Sequence, residues 1–185
     1  MIKPTLRTVV AELSSVFENV EEEKCKQVVE SIVGANGIFV AGVGRSGFMM
    51  KAFAMRLMHL GLDVHVIGSA ATPDAKEGDL LILGTGSGET ESLKSYSSKA
   101  KKIGLKIITV TSFIDSTLGK AADITLRIPS PTPKSNKESA ITSIQPMGTL
   151  FEQSLLICLD SLVMEVMEAL SKTAAEMFTK HANLE

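Results

Sequence analysis

Two short segments of the 185-residue chain combine glycines with hydroxyls in a way that suits a bound anion. One reads Gly42-Val43-Gly44-Arg45-Ser46-Gly47, the other Gly84-Thr85-Gly86-Ser87-Gly88-Glu89-Thr90, and each follows a short apolar run. Glycines such as Gly44 and Gly88 let the backbone come close to a ligand, and the hydroxyls of Thr85, Ser87 and Thr90 donate hydrogen bonds to phosphate oxygens. Each segment leads into a helical pattern, where free N–H groups and the helix dipole favour negative charge. Arg45 adds a cation for a phosphate or sugar oxygen, or else forms a surface ion pair. Glu89 opens the helix after the second segment, where a charge facing the phosphate would repel it, so it is expected to cap.

The first segment fits Gly-x-Gly-x-x-Gly, a pattern that is weak alone. A dinucleotide site would also want an acidic residue at the end of the following strand. Asp63 instead precedes that strand, which closes on Gly68-Ser69. Neither segment continues into the Gly-Lys-Ser/Thr of a nucleoside triphosphate loop. The chain shows no His/Cys cluster, so no metal and no other cofactor is expected. Cys25 and Cys158 sit in helical apolar patterns and read as small buried thiols, and His59 and His65 as structural residues.

Both segments need strands and helices to hold them. Apolar runs at 38–41, 64–67, 80–83, 106–110 and 124–128 read as five buried parallel strands. Helical spacing covers 5–19, 21–33, 46–60, 89–103 and a short 116–121, with glycine stops at Gly61 and Gly104. A loop rich in Pro, Ser and Lys occupies 130–143, after which Pro146 should open a long helix running to Leu170 and a polar tail. The fold class is α/β, a five-stranded parallel sheet flanked by helices in three layers. We divide a single domain, 1–185, into an N-terminal helical pair (1–34), a sheet core with both segments (35–129) and a C-terminal helix with its tail (144–185). The long helix is apolar nearly all round between Leu155 and Val163, which predicts cover from more than one side and hence another subunit.

Hydrophobic residues at 44% and charged ones at 22% suit a globular domain, and aromatics at 4% leave the core to aliphatic side chains and Met. A net charge of −2 carries no footprint for nucleic acid or a membrane surface. The first residues lack the apolar core of a signal peptide and no apolar run is long enough to span a bilayer, so a cytoplasmic protein is expected.

The paired glycine segments resemble the sugar isomerase (SIS) family, whose fold is the sheet described above. In that family the second segment's hydroxyls hold a sugar phosphate, which implies Thr85, Ser87 and Thr90, with Ser46 nearby. Gly44-Arg45-Ser46-Gly47, the stretch Phe53-Ala54-Met55-Arg56-Leu57-Met58-His59-Leu60-Gly61, the segment Gln145-Pro146-Met147-Gly148-Thr149-Leu150-Phe151-Glu152-Gln153 and the tail His181-Ala182-Asn183-Leu184-Glu185 are similar to one branch, the 6-phospho-3-hexuloisomerases. The resemblance implies interconversion of D-arabino-hex-3-ulose 6-phosphate and D-fructose 6-phosphate through an enediol, the reaction of the ribulose monophosphate pathway, with formaldehyde fixation, formaldehyde detoxification and pentose supply as its alternative settings. It also implies a homotetramer.

Arabinose 5-phosphate isomerases are the near alternative, but usually carry Lys at the place of Arg45. A sugar-phosphate sensor would add a helix-turn-helix module and a basic surface. The resemblance places a catalytic Glu at Glu152, in the first turn of the long helix; the competing role is to complement the helix dipole. His181, in the polar tail, is the candidate acid/base partner, for its own site or a neighbour's.

Overall fold

The computed structural model describes residues 1–132 and 141–184, so the expected 130–143 loop falls outside the described residues over 133–140, as does Glu185 of the tail. Helices α1 (Ile2–Phe17) and α2 (Glu22–Val33) lead into β1 (Ile38–Gly42). There follow α3 (Gly44–His59), β2 (Val64–Val66), β3 (Leu80–Gly84), α4 (Glu91–Ile103), β4 (Lys106–Thr111), α5 (Thr117–Ala121), β5 (Ile124–Arg127), α6 (Thr149–Ala169) and α7 (Ala174–Phe178).

The sheet has five strands in the order β2-β1-β3-β4-β5, all parallel. Its central strand, β3, is buried along its whole length, which is why its sequence is an unbroken apolar run. One face of the sheet packs on α1, α2, α3 and α6 through residues such as Val16, Ile32, Phe53, Leu57 and Leu155. The other packs on α4 and α5 through Leu93, Ala100 and Leu118. Strand β1 thus feeds a helix on one face and β3 a helix on the other. The crevice opens between their carboxyl ends, where sheets of this kind bind ligands. Helix α3 lies against β1 so closely that a Cβ on Gly47 would stand 2.7 Å from the carbonyl oxygen of Gly42.

Several boundaries differ from expectation. Helix α3 starts at Gly44 rather than Ser46, so Gly44, Arg45 and Ser46 form its first turn. Helix α4 starts at Glu91, leaving Glu89 outside it. Helix α6 starts at Thr149, not Pro146: the Thr149 hydroxyl donates to the Pro146 carbonyl at 2.6 Å, and Met147 takes a left-handed φ of 59°. The tail is not plain coil, because Thr173 and Glu176 form a reciprocal capping box that starts α7.

Within the chain, α6 is covered on one side by α1, α2 and α3, where Leu155, Leu159, Leu162 and Val166 are buried, while Ile157 on the other side is 40% exposed. Met164 stays 64% exposed. Cys25 and Cys158, distant in sequence, meet across α2 and α6 as free thiols. Their mutual hydrogen bond lowers the Cys25 thiol and, with burial, pushes Cys158 up.

Candidate active site

The crevice at the ends of β1 and β3 holds a cavity of about 220 Å³. Gly44, Arg45 and Ser46 from α3, Gly84 to Ser87 and Thr90 from the second glycine segment, Gly148 at the N-cap of α6, and Phe151 and Glu152 within α6 line it. Three helices of adequate length therefore begin at one place, and neither Val43 nor Thr90, the N-caps of α3 and α4, makes a side-chain cap bond. The first-turn N–H groups of α3, on the cavity-lining residues Gly44, Arg45 and Ser46, lack intrahelical partners and are available as donors, whereas α4 reaches the cavity through its N-cap Thr90.

The hydroxyls of the second segment are set up to give protons. Thr85 and Ser87 are buried. The Ser87 oxygen accepts from the Glu89 N–H at 3.2 Å, which leaves its own proton free to donate. Thr85 Oγ1 accepts from the Gly88 N–H at 3.3 Å and lies 3.3 Å from Thr90 Oγ1, so this pair also keeps a proton for a ligand.

Gly88 itself does not line the cavity. Its φ is +67°, and a Cβ there would collide with the Ser116 side chain, so it shapes the turn from behind. Glu89 is turned away as well. Its carboxylate accepts from the Thr117 N–H at 2.8 Å and hydroxyl at 2.7 Å, capping α5 rather than α4. Those hydrogen bonds, with Lys94 nearby, hold its carboxyl below the usual carboxylate range. The charge that would repel a phosphate is thereby tied to another helix.

Across the cavity stands a guanidinium–carboxylate pair. Arg45 Nε lies 3.2 Å from Glu152 Oε2, with the Glu152 side chain 17% exposed and that of Arg45 55% exposed. A second Arg45 nitrogen donates to Thr149 Oγ1 at 3.3 Å. The arrangement puts a carboxylate, a half-exposed cation and several hydroxyl and amide donors around one small volume. A base, an oxyanion partner and a phosphate grip can work together in such a volume.

His181 is not brought to this cavity by its own chain. Its ring stacks on His59 and on Phe178, each at 5.7 Å between centroids, and Nδ1 lies 3.0 Å from the Ala182 carbonyl. His59 ends α3, the helix that Gly44 begins, and 15 residues of helix span about 22 Å. His65 pairs with Asp63 at 3.0 Å beside Phe39, away from the cavity.

The cavity also holds residues to which the sequence reading gave no role. Thr132 lines it with a buried hydroxyl that has no hydrogen-bond partner among the described residues. Phe151 and Met147 form apolar wall. Phe151 and Met147 stand inside a motif already singled out, whereas Thr132 follows the last strand without any pattern around it.

Among the described residues, no helix is long and apolar enough to cross a membrane. The family model for the SIS domain matches residues 31–157. A 3-hexulose-6-phosphate isomerase of Bacillus subtilis strain 168 is 43% identical over 180 residues, 95% of this chain and 97% of the relative. Another from Mycobacterium gastri is 38% identical over 184 residues, 100% of this chain and 92% of the relative. A solved structure from Methanococcus jannaschii, described as inferring a 3-hexulose-6-phosphate isomerase function, is 34% identical with a TM-score of 0.85, covering 98% of this chain and 99% of that one.

Proposed function

The chain belongs to the SIS domain family, and we propose that it is an isomerase interconverting D-arabino-hex-3-ulose 6-phosphate and D-fructose 6-phosphate. The observation that carries the reading is the Arg45–Glu152 pair facing the hydroxyls of Thr85, Ser87 and Thr90 across one cavity.

In this reading the phosphate sits on those three hydroxyls, on Ser46 and on the helix N-termini that Gly44 and the turn at Gly88 shape. Glu152 takes the proton from carbon 2 of the 3-keto sugar. The electron pair moves through the 2,3-enediol as the O2 hydroxyl proton passes to O3, and the same carboxyl returns its proton to carbon 3, which leaves the carbonyl at carbon 2. Arg45, already poised on Glu152, shifts part of its hydrogen bonding to the developing enediolate oxygen. The open form of the 3-keto sugar is favoured, since closure by the carbon-5 hydroxyl would make a four-membered ring. Fructose 6-phosphate closes readily to a furanose, so ring opening matters in that direction.

The reading keeps His181 as the acid/base for ring opening, supplied by a second copy of the chain, because its own cavity lies about 20 Å away. Phe48 on α3 and Met164 on α6, 63% and 64% exposed, support an assembly of copies, which we assign as a homotetramer of single-domain chains. The reading further places the protein in the cytoplasm and in the ribulose monophosphate pathway, in formaldehyde fixation. A gene deletion that leaves formaldehyde consumption unchanged would count against that placement.

The test supplies 3-hexulose 6-phosphate and couples product through glucose-6-phosphate isomerase and its dehydrogenase. NADPH formation is expected. Its absence, with arabinose 5-phosphate turned over instead, would overturn the substrate. Sugar-phosphate binding with no turnover of either would replace the enzyme by a sensor.

A further inference from the structure

Glu12 lies on α1, outside the cavity, yet its carboxylate gathers three hydrogen bonds from one stretch of chain. Oε2 accepts from the Ser143 hydroxyl at 2.7 Å and from Gln145 Nε2 at 3.0 Å, and Oε1 accepts from the Ile144 N–H at 2.7 Å. The Gln145 N–H in turn donates to the Ser143 oxygen at 3.0 Å, closing the cluster. Burial works against the charge, but the hydrogen bonds from Gln145, Ile144 and Ser143 win, and the carboxyl is held below its ordinary range. A charged acceptor with three donors is a strong local clamp.

What is clamped leads directly to the cavity. Pro146 follows, then Met147 and Gly148, both in the cavity wall, and then the first turn of α6 with Glu152. Met147 has a φ of 59°, in the left-handed region that a side chain resists. Such a conformation persists only where the surroundings over-determine it. Two anchors do so here. On the α6 side, Thr149 Oγ1 donates to the Pro146 carbonyl at 2.6 Å and accepts from Arg45 at 3.3 Å. On the other side, the anchor is Glu12.

We propose that Glu12 is a positioning residue for the cavity: through Ser143, Ile144 and Gln145 it holds the Met147–Gly148 wall in its left-handed turn. The assignment of a substrate to that wall rests on the function proposed above; the clamp itself does not. Loosening the wall weakens the fit around bound sugar while leaving Glu152 fixed by the buried Leu150 and Phe151, so the effect falls on KM rather than kcat.

The experiment compares Glu12→Gln, Gln145→Ala and the swap Glu12→Gln with Gln145→Glu. In Glu12→Gln the clamp loses its charge and one acceptor: the amide oxygen can serve the Ile144 N–H, but the N–H₂ then faces the Ser143 hydroxyl that had donated to the carboxylate, and Gln145 must turn its own amide to keep a bond. In the swap, the amide nitrogen introduced on α1 donates to the carboxylate introduced at the other position, while the amide oxygen still accepts from the Ile144 N–H. Expected are a KM about tenfold higher with kcat within about twofold for Glu12→Gln, and recovery to within about threefold of wild type in the swap. Hydrogen exchange should speed up over 143–149 in both single variants and return in the swap, with the rest of the chain unchanged. This readout needs no turnover, so it judges the clamp even if the substrate assignment fails. Unchanged exchange over 143–149, or faster exchange with unchanged KM, would overturn the proposal. A global rise in exchange in Glu12→Gln would also overturn it unless Gln145→Ala, which leaves α1 intact, shows the local pattern.

Discussion

Helix α3 carries basic side chains at both ends, and the two ends use them in opposite ways. At its start, Arg45 reaches out of the first turn to Glu152 over an open cavity. At its finish, Arg56 lies 3.3 Å from His59 Nδ1, and the His59 ring stacks on His181. The helix dipole explains the division. A positive side chain in a last turn complements the negative helix end, as Arg56 does, and needs no ligand. A first turn has unsatisfied N–H donors and calls for an anion. Two of the three histidines, His59 and His181, the residue type best suited to acid–base work near neutral pH, thus sit at the end that is already satisfied. The end left unsatisfied is built from glycines, hydroxyls, one Arg and one Glu.

If the open end is where chemistry happens, Glu152→Gln should give the largest effect. We expect kcat to fall by about 10³-fold with KM little changed, read in the coupled assay. A loss below about tenfold would remove Glu152 as the base. Next comes Arg45→Lys, which keeps the charge but loses the fork that reaches Glu152 and Thr149 together. A drop in kcat/KM of about 10- to 100-fold is expected.

The closed end is tested by His181→Ala. A second copy's use of His181 predicts roughly a tenfold loss when starting from fructose 6-phosphate, and less than about threefold from the open 3-keto sugar. Co-expressing it with the Glu152→Gln chain should recover part of the activity, since mixed assemblies rebuild intact sites. No recovery, or equal loss in both directions, would leave His181 as a packing residue at the far end of α3.

The smallest effect is on stability. Burial first, then Arg56 and His181, lower the pKa of His59 from its ordinary 6.5. The unfolded chain therefore binds a proton at higher pH than the folded one does. The stability contributed by neutral His59 is full above about pH 6.5 and is lost as pH falls through that value toward the folded pKa. Urea midpoints should drop between about pH 7.5 and 5.5, and His59→Gln should flatten that drop. An equally steep decline in the variant would place the titration elsewhere.

Strand positions are legible to within about one or two residues, because a strand buried on both faces must be a continuous apolar run, as Leu80 to Leu83 is. The glycine segments are legible because tight strand-to-helix turns and close approach restrict residue choice locally. The start of α6 is not. Proline at a helix start is a local preference, and it yields to a hydroxyl-to-carbonyl bond and a left-handed Met147 supported from α1 and α3. The helices that cover one side of α6 escape a sequence reading for the same kind of reason: an apolar circumference states that partners exist, not which elements they are. Cys25 and Cys158 meet although nothing in their spacing joins them.

The sequence by itself determined the class of fold, the side of the sheet on which an anion can be held and the residue types that hold it. These follow from periodicity, backbone freedom and the open N–H groups of helix starts, all set within a few neighbours along the chain. Tertiary structure alone decided that Arg45 faces Glu152, that Glu89 turns to Thr117, that Thr132 enters the cavity, that Glu12 grips the wall of it and that His181 stays with His59. Each of those pairs residues far apart in sequence, and only the packing of helices on a twisted sheet fixes which side chains come within hydrogen-bond or stacking distance.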